Sequence, residues 1–212
     1  MPTTLGTPTP EGIVKTKDVR SVLADLSPSS PQVRCVLHTP VFNFRDIESF
    51  TSRITYRCIN SWDEAGLVFS YRQTEDTGWR RFSFTELVLL QTIADLKEFG
   101  FGSAKIKSIR LNIERDRPPG IERAPRLDRH ILSVVSGNRV VLKISRSAYV
   151  GFQEEATLSQ KSTFFCSWLP KKAQSQPYAV LPFYDYIERA LQQPDICKKL
   201  WSLLPSCIEP AS

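Results

Sequence analysis

The chain has 212 residues, enough for one or two small domains, with 41% hydrophobic and 24% charged residues. That composition is ordinary for a globular protein and excludes a disordered chain, and no apolar run approaches the roughly 20 residues that a bilayer-spanning helix needs. The net charge of +6 favours an acidic partner, yet residues 44–117 carry 12 Lys+Arg against 11 Asp+Glu, so a nucleic-acid footprint there depends on placement rather than bulk charge.

Five scattered cysteines, Cys35, Cys58, Cys166, Cys197 and Cys207, form neither a CxxC pair nor a secreted disulfide array. The opening "MPTTLGTPTPEGIVKTK" lacks the basic-then-apolar pattern of a signal peptide. A soluble, cytoplasmic protein with no membrane association is expected.

In chain order, residues 1–42 read as a partly flexible N-terminal arm rich in Pro, Ser and Thr, with one short helix around 16–26. A domain then spans 43–117. "FRDIESF" reads as a short helix, followed by a turn and a second helix over 55–65. Thr55 suits its N-cap and Gly66 its C-terminal stop. "LVFSYRQ" and "GWRRFS" flank "TEDTG" as a strand-turn-strand unit. Ser83 caps a helix over 84–99, whose Leu89, Ile93 and Leu96 recur at helical period. "GFGSAKIKSIRLNI" supplies a turn and another helix, capped by Ser103, with Ile106, Ile109 and Ile113 inward. "RDRPPG" breaks the chain.

Residues 118–212 read as a small β-rich segment followed by helices. "HILSVVSGNRVVLKI" suggests two strands around Gly137-Asn138, and "STFFCSWL" another. Phe183, Ile187, Ala190 and Leu191 make one helical stripe, and Ile196, Leu200 and Leu203 a second. These stripes suit either a dimer interface or the C-terminal core. The expected class is α+β: a winged helix-turn-helix domain, a small β-rich segment and C-terminal helices.

Helix, turn, helix, β-ribbon, helix, helix within about 75 residues is a winged helix-turn-helix order. Here the sequence resembles the MerR family of transcription regulators. The resemblance rests on "ITYRCINSWDEAGLV", "TGWRRFS" and "LLQTIADLKEFGFGSAKIKSI". Trp62, Asp63, Glu64, Gly66 and Leu67 stand where the family has an aromatic, an acidic pair and Gly-Leu. Gly78, Trp79, Arg80 and Phe82 match its wing. The chain departs from the family at Cys58, Ile59, Asn60 and Ser61, where the family has Thr-x-Arg-Tyr. It also lacks the long dimerisation helix, which "RDRPPG" forbids.

The resemblance implies binding of double-stranded DNA, and the residues supply a physical case. The start of the second helix, from Thr55, would bring Tyr56, Arg57 and Asn60 to base edges and phosphates. Arg72, Arg80 and Arg81 of the wing would neutralise phosphates, and Trp79 would brace the ribbon or pack on sugars. The expected protein is a sequence-specific regulator acting as a homodimer. The alternative is a protein-interaction module, such as an antitoxin-like subunit, that keeps the fold and binds a protein partner. Catalysis is not expected: His38 and His130 sit in unrelated contexts, and no nucleophile elbow, phosphate loop or metal-ligand pair appears. No cofactor or metal is expected.

Overall fold

The computed structural model describes residues 18–72, 80–114, 126–145, 148, 150–154 and 178–208. The strand expected in "STFFCSWL" and the "RDRPPG" break lie outside these. Nine helices and five strands are described: α1 Val19–Ala24, α2 Pro31–His38, α3 Phe44–Phe50, α4 Tyr56–Glu64, β1 Tyr71–Arg72, β2 Arg80–Arg81, α5 Phe84–Glu98, α6 Ser103–Glu114, α7 Arg126–Val135, β3 Val140–Ser145, β4 Val150–Glu154, β5 Tyr178–Leu181, α8 Phe183–Leu191 and α9 Pro194–Ile208. The class is α+β.

The local signals between 43 and 114 hold. Asn43 and Asp46 form a reciprocal capping box on α3. Thr55 accepts the Cys58 amide N–H at the start of α4, and Ser83 accepts that of Glu86 at the start of α5. Gly66, at φ 64°, ends α4: its N–H reaches Asp63 O at 2.9 Å, and Leu67 N–H reaches Trp62 O at 2.7 Å. This pair of bonds needs a left-handed residue, which glycine adopts at little cost. At α6 the cap shifts by one, because Gly102 O receives the N–H groups of Lys105 and Ile106, and Ser103 is the first helical residue.

Helix α5 is buried on nearly every side, from Phe84 to Leu96, which marks it as the central helix. Helices α2, α6 and α8 pack against it. Residues 18–42 carry α1, within the one short helix expected around 16–26, and also α2; their Val19, Leu23, Val33, Val36 and Leu37 lie in the same core. Ser30 caps α2 with Pro31 at its first position. Within a Ser/Pro-rich stretch that short helix is visible only once its apolar face has something to cover.

The largest correction falls on "HILSVVSGN". It is helical, not a strand and turn: Leu127, Ile131, Val134 and Val135 lie on one buried face at i, i+4, i+7 and i+8. Gly137, at φ 98°, closes α7 rather than a hairpin, with Asn138 N–H to Ser133 O at 3.0 Å and Gly137 N–H to Val134 O at 2.9 Å. Strand β3 does follow. It is the centre of an antiparallel sheet ordered β4-β3-β5, with Leu142 opposite both Phe152 and Leu181.

The C-terminal stripes face inward. Phe183, Tyr186, Ile187 and Ala190 of α8, and Ile196, Leu200 and Leu204 of α9, belong to the one core cluster that also holds Ile59, Trp62 and Leu67 of the 43–114 segment. They are therefore spent on intramolecular packing and are not open as a dimer face. Two polar clamps add to this. Tyr186 donates its hydroxyl to Asp95 of α5. Lys199 Nζ donates to both carboxylate oxygens of Asp46 on α3, at 2.7 and 2.6 Å.

Truncating Leu200 to Ala should cost about 2–5 kcal/mol in urea unfolding, since the cavity opens in the shared core. Residues 43–117 produced alone should melt without a cooperative transition, because α5 loses the cover of α2 and α8. A sharp sigmoidal melt of that fragment would show two independent domains instead.

Candidate nucleic-acid interface

Phe44 and Tyr56 are the first residues of α3 and α4, and their rings meet edge to face with centroids 5.6 Å apart. The two helix starts therefore lie side by side. The next residue in each helix is an arginine, Arg45 and Arg57, and both are exposed. No acid among the described residues pairs with either. Thr55 is exposed beside them and Tyr56 is 47% exposed. The start of α4 thus presents cation, aromatic ring and the positive end of the helix dipole together.

Cys58 sits in the first turn of α4. The Thr55 hydroxyl donates to its sulfur at 3.2 Å and lowers the thiol pKa, with the Arg57 charge acting in the same direction. Cys58 and Cys197 are free thiols, whereas Cys35 is disulfide-bonded. The scatter of cysteines along the sequence gave no sign of that bond, since sequence separation says nothing about which elements meet.

Strands β1 and β2 form a two-stranded ribbon with Tyr71 opposite Arg81 and Arg72 opposite Arg80. Phe42 joins it through paired bonds with Phe82, at 3.0 and 2.8 Å. Trp79 and the loop over 73–79 lie outside the described residues, as does the Arg72 side chain. Arg81 is half-buried and directs a long 3.5 Å hydrogen bond to Val41 O.

Arg80 is not turned outward. Its side chain is 9% exposed and lies on α4, 3.0 Å from Asp63 Oδ2. It donates to Asn60 Oδ1, and its guanidinium carbon is 6.0 Å from the centre of the Tyr56 ring. Tyr56, Asn60 and Asp63 recur at i, i+4 and i+7, so one face of α4 grips the ribbon. Ser70 also donates to Asp63, at 3.3 Å. The guanidinium expected at phosphates is held inside the protein by a carboxylate that does the same job.

Beneath the ribbon lies a buried ion pair. Arg110 of α6 donates to both oxygens of Glu86 on α5, one at 3.2 Å, and to Leu67 O at 2.5 Å. It also pairs with Glu114 at 2.9 Å and stacks under the exposed Phe69 ring at 4.2 Å. Glu86 in turn accepts from Phe69 N–H at 3.4 Å. Burial raises the Glu86 carboxyl pKa, and the adjacent Arg110 opposes that rise. One buried pair therefore fixes residues 67–69, the segment that leads from α4 into the ribbon.

On the opposite side, Arg53 in the turn between α3 and α4 reaches Asp95 and Glu98, each at 2.7 Å. Asp95 also accepts from Gln91 at 3.1 Å and from Tyr186. Burial and the Asp95 charge push the Tyr186 phenol pKa far up, so it stays a donor. No cluster of His, Cys, Asp and Glu among the described residues could hold a metal ion.

Of the residues expected at DNA, Thr55, Tyr56 and Arg57 lie together and open. Asn60 and Arg80 instead bond to each other, and Arg81 lies at the ribbon's edge. Arg45 was missed. Its signal was in the sequence, since Phe44-Arg45 at one helix start repeats Tyr56-Arg57 at the next.

Residues 51–112 match the family described as MerR HTH family regulatory protein. The segment is a MerR-like helix-turn-helix. The match runs from the turn before α4 to the last turn of α6, so it takes in α4, the ribbon, α5 and α6. It covers less than a third of the chain. The MerR-like class implies a DNA-binding transcription regulator with double-stranded DNA as its ligand; regulators of this kind are generally not enzymes. No curated protein matches the chain. No described helix is long and apolar enough to cross a membrane.

Removing one member of the buried pair, as in Arg110→Met, should cost about 3–5 kcal/mol in urea unfolding because the Glu86 carboxylate is stranded. Replacing both, with Glu86→Leu added, should recover most of that loss. A single-variant cost below about 1 kcal/mol, the range of an exposed ion pair, would contradict the assignment.

Proposed function

We propose that this protein is a sequence-specific, double-stranded DNA-binding transcriptional regulator of the cytoplasm with no catalytic role. The start of α4 enters the major groove and the ribbon acts as a wing beside it. The observation that carries the reading is the pair of exposed arginines, Arg45 and Arg57, unpaired among the described residues, at helix starts joined by the Phe44–Tyr56 ring contact. Cations so placed have no partner within the described fold and suit two neighbouring phosphates. Thr55 and Tyr56 lie at the groove edge, and Arg81, Arg72 and Trp79 continue the contact along the wing. A homodimer is proposed because one helix-turn-helix touches few base pairs and symmetric half-sites extend the readout. Its interface is not the α8 and α9 stripes, which are buried within the chain.

One observation favours a second reading. Arg80 is satisfied internally, and Phe69 and Tyr71 beside the ribbon are each 55% exposed. A protein-interaction module, antitoxin-like in arrangement, would use that aromatic edge for a protein partner. Purification with a stoichiometric protein partner and no DNA affinity would favour it.

Arg57→Ala and Arg45→Ala should each weaken binding to specific and scrambled duplexes alike. Each should also reduce the slope of log affinity against log salt by roughly 1, as loss of one phosphate contact does. Unchanged slopes for both variants would remove the helix-start assignment.

A further inference from the structure

An arginine side chain has five N–H donors and no acceptor. The Asn60 atom that faces Arg80 must therefore be its oxygen, and chemistry alone decides which way the amide is turned. Arg80 is itself held in place: Asp63 grips its other nitrogen at 3.0 Å, Ser70 holds Asp63 at 3.3 Å, and the Tyr56 ring lies beside it. The amide oxygen of Asn60 is thus drawn toward the ribbon. Its Nδ2 group makes no hydrogen bond to any described residue and is left as the open end of a half-buried side chain.

An asparagine that reads adenine uses both ends of its amide at once, accepting from N6 and donating to N7. With one end pinned back by Arg80, Asn60 cannot turn both toward a single base. Its remaining chemistry is donation. In the major groove, guanine offers acceptors at O6 and N7, adenine one at N7 and thymine one at O4, whereas cytosine presents only a donor, at N4.

We propose that Arg80 is a positioning residue that sets Asn60 as a hydrogen-bond donor, so that it refuses cytosine and takes guanine, thymine or adenine without singling out adenine. The inference rests on the DNA-binding reading above. It gives Arg80 a part in specificity without a phosphate contact, which its burial and its bond to Asp63 leave no room for. It also explains an asparagine at this point of α4: the side chain is short enough to be gripped by the ribbon and still keep a free donor.

The test is selection from a pool of randomised duplexes with the full chain, comparing wild type, Asn60→Ala and Arg80→Met, with thermal melts of each. The wild type should select a site in which one position disfavours cytosine by about tenfold, the worth of one base contact, and does not take adenine above guanine and thymine. Asn60→Ala should lose the preference at that position alone. Arg80→Met frees the amide to turn, and adenine should rise there while the other positions hold.

The inference is overturned if Asn60→Ala changes no position, or if the position it erases selects cytosine, or adenine over guanine and thymine, in the wild type. It is also overturned if Arg80→Met folds and keeps the wild-type preference. Should Arg80→Met fail to fold, the Asn60→Ala comparison still decides. A wild type that enriches no sequence would overturn the DNA-binding reading, and this inference with it.

Discussion

The Arg110–Glu86 ion pair is the constraint on which the interface depends. Both groups are almost completely buried, and charges so placed persist only when paired and hydrogen-bonded. Their partners are what matter for function. Leu67 O, Phe69 N–H and the Phe69 ring all report to this pair, so the chain leaving α4 has one path across α5 and α6. That path delivers Ser70 to Asp63 and brings β2 back with Arg80 against the same carboxylate. The geometry between α4 and the ribbon is thus inherited from a contact deeper in the protein.

A second consequence concerns the C-terminal half. The segment after 118 shares its core with the helix-turn-helix, and its polar contacts fall on structural carboxylates of that unit: Tyr186 on Asp95, and Lys199 on the Asp46 of the α3 capping box. Asp95 also holds Arg53, which sits in the turn between α3 and α4. A displacement of α8 or α9 would have to break or carry these bonds.

Much of the region from 43 to 114 was legible because its signals are local. Thr55, Ser83 and Gly66 act on backbone groups within a few residues, and the Ile106, Ile109 and Ile113 stripe follows the helical period. The misreadings share one cause, dependence on distant partners. The β-branched "HILSVV" looks like a strand until the faces that cover Leu127, Ile131 and Val135 are known. Helix α2 hides between serines and prolines, while β4 and β5 are short and owe their assignment to pairing with β3. The exposed place of Arg57 at the start of α4 could be read from sequence alone. The inward turn of Arg80 could not, because it depends on Asp63, seventeen positions away, being presented by a different element.

The most direct test of the account is fluorescence-anisotropy binding of the intact protein to the DNA upstream of its own gene and to scrambled duplex, over a range of salt concentrations. The account predicts tighter binding to the upstream sequence and steep weakening of both with salt. Equal, weak binding to the two duplexes, insensitive to salt, would contradict it.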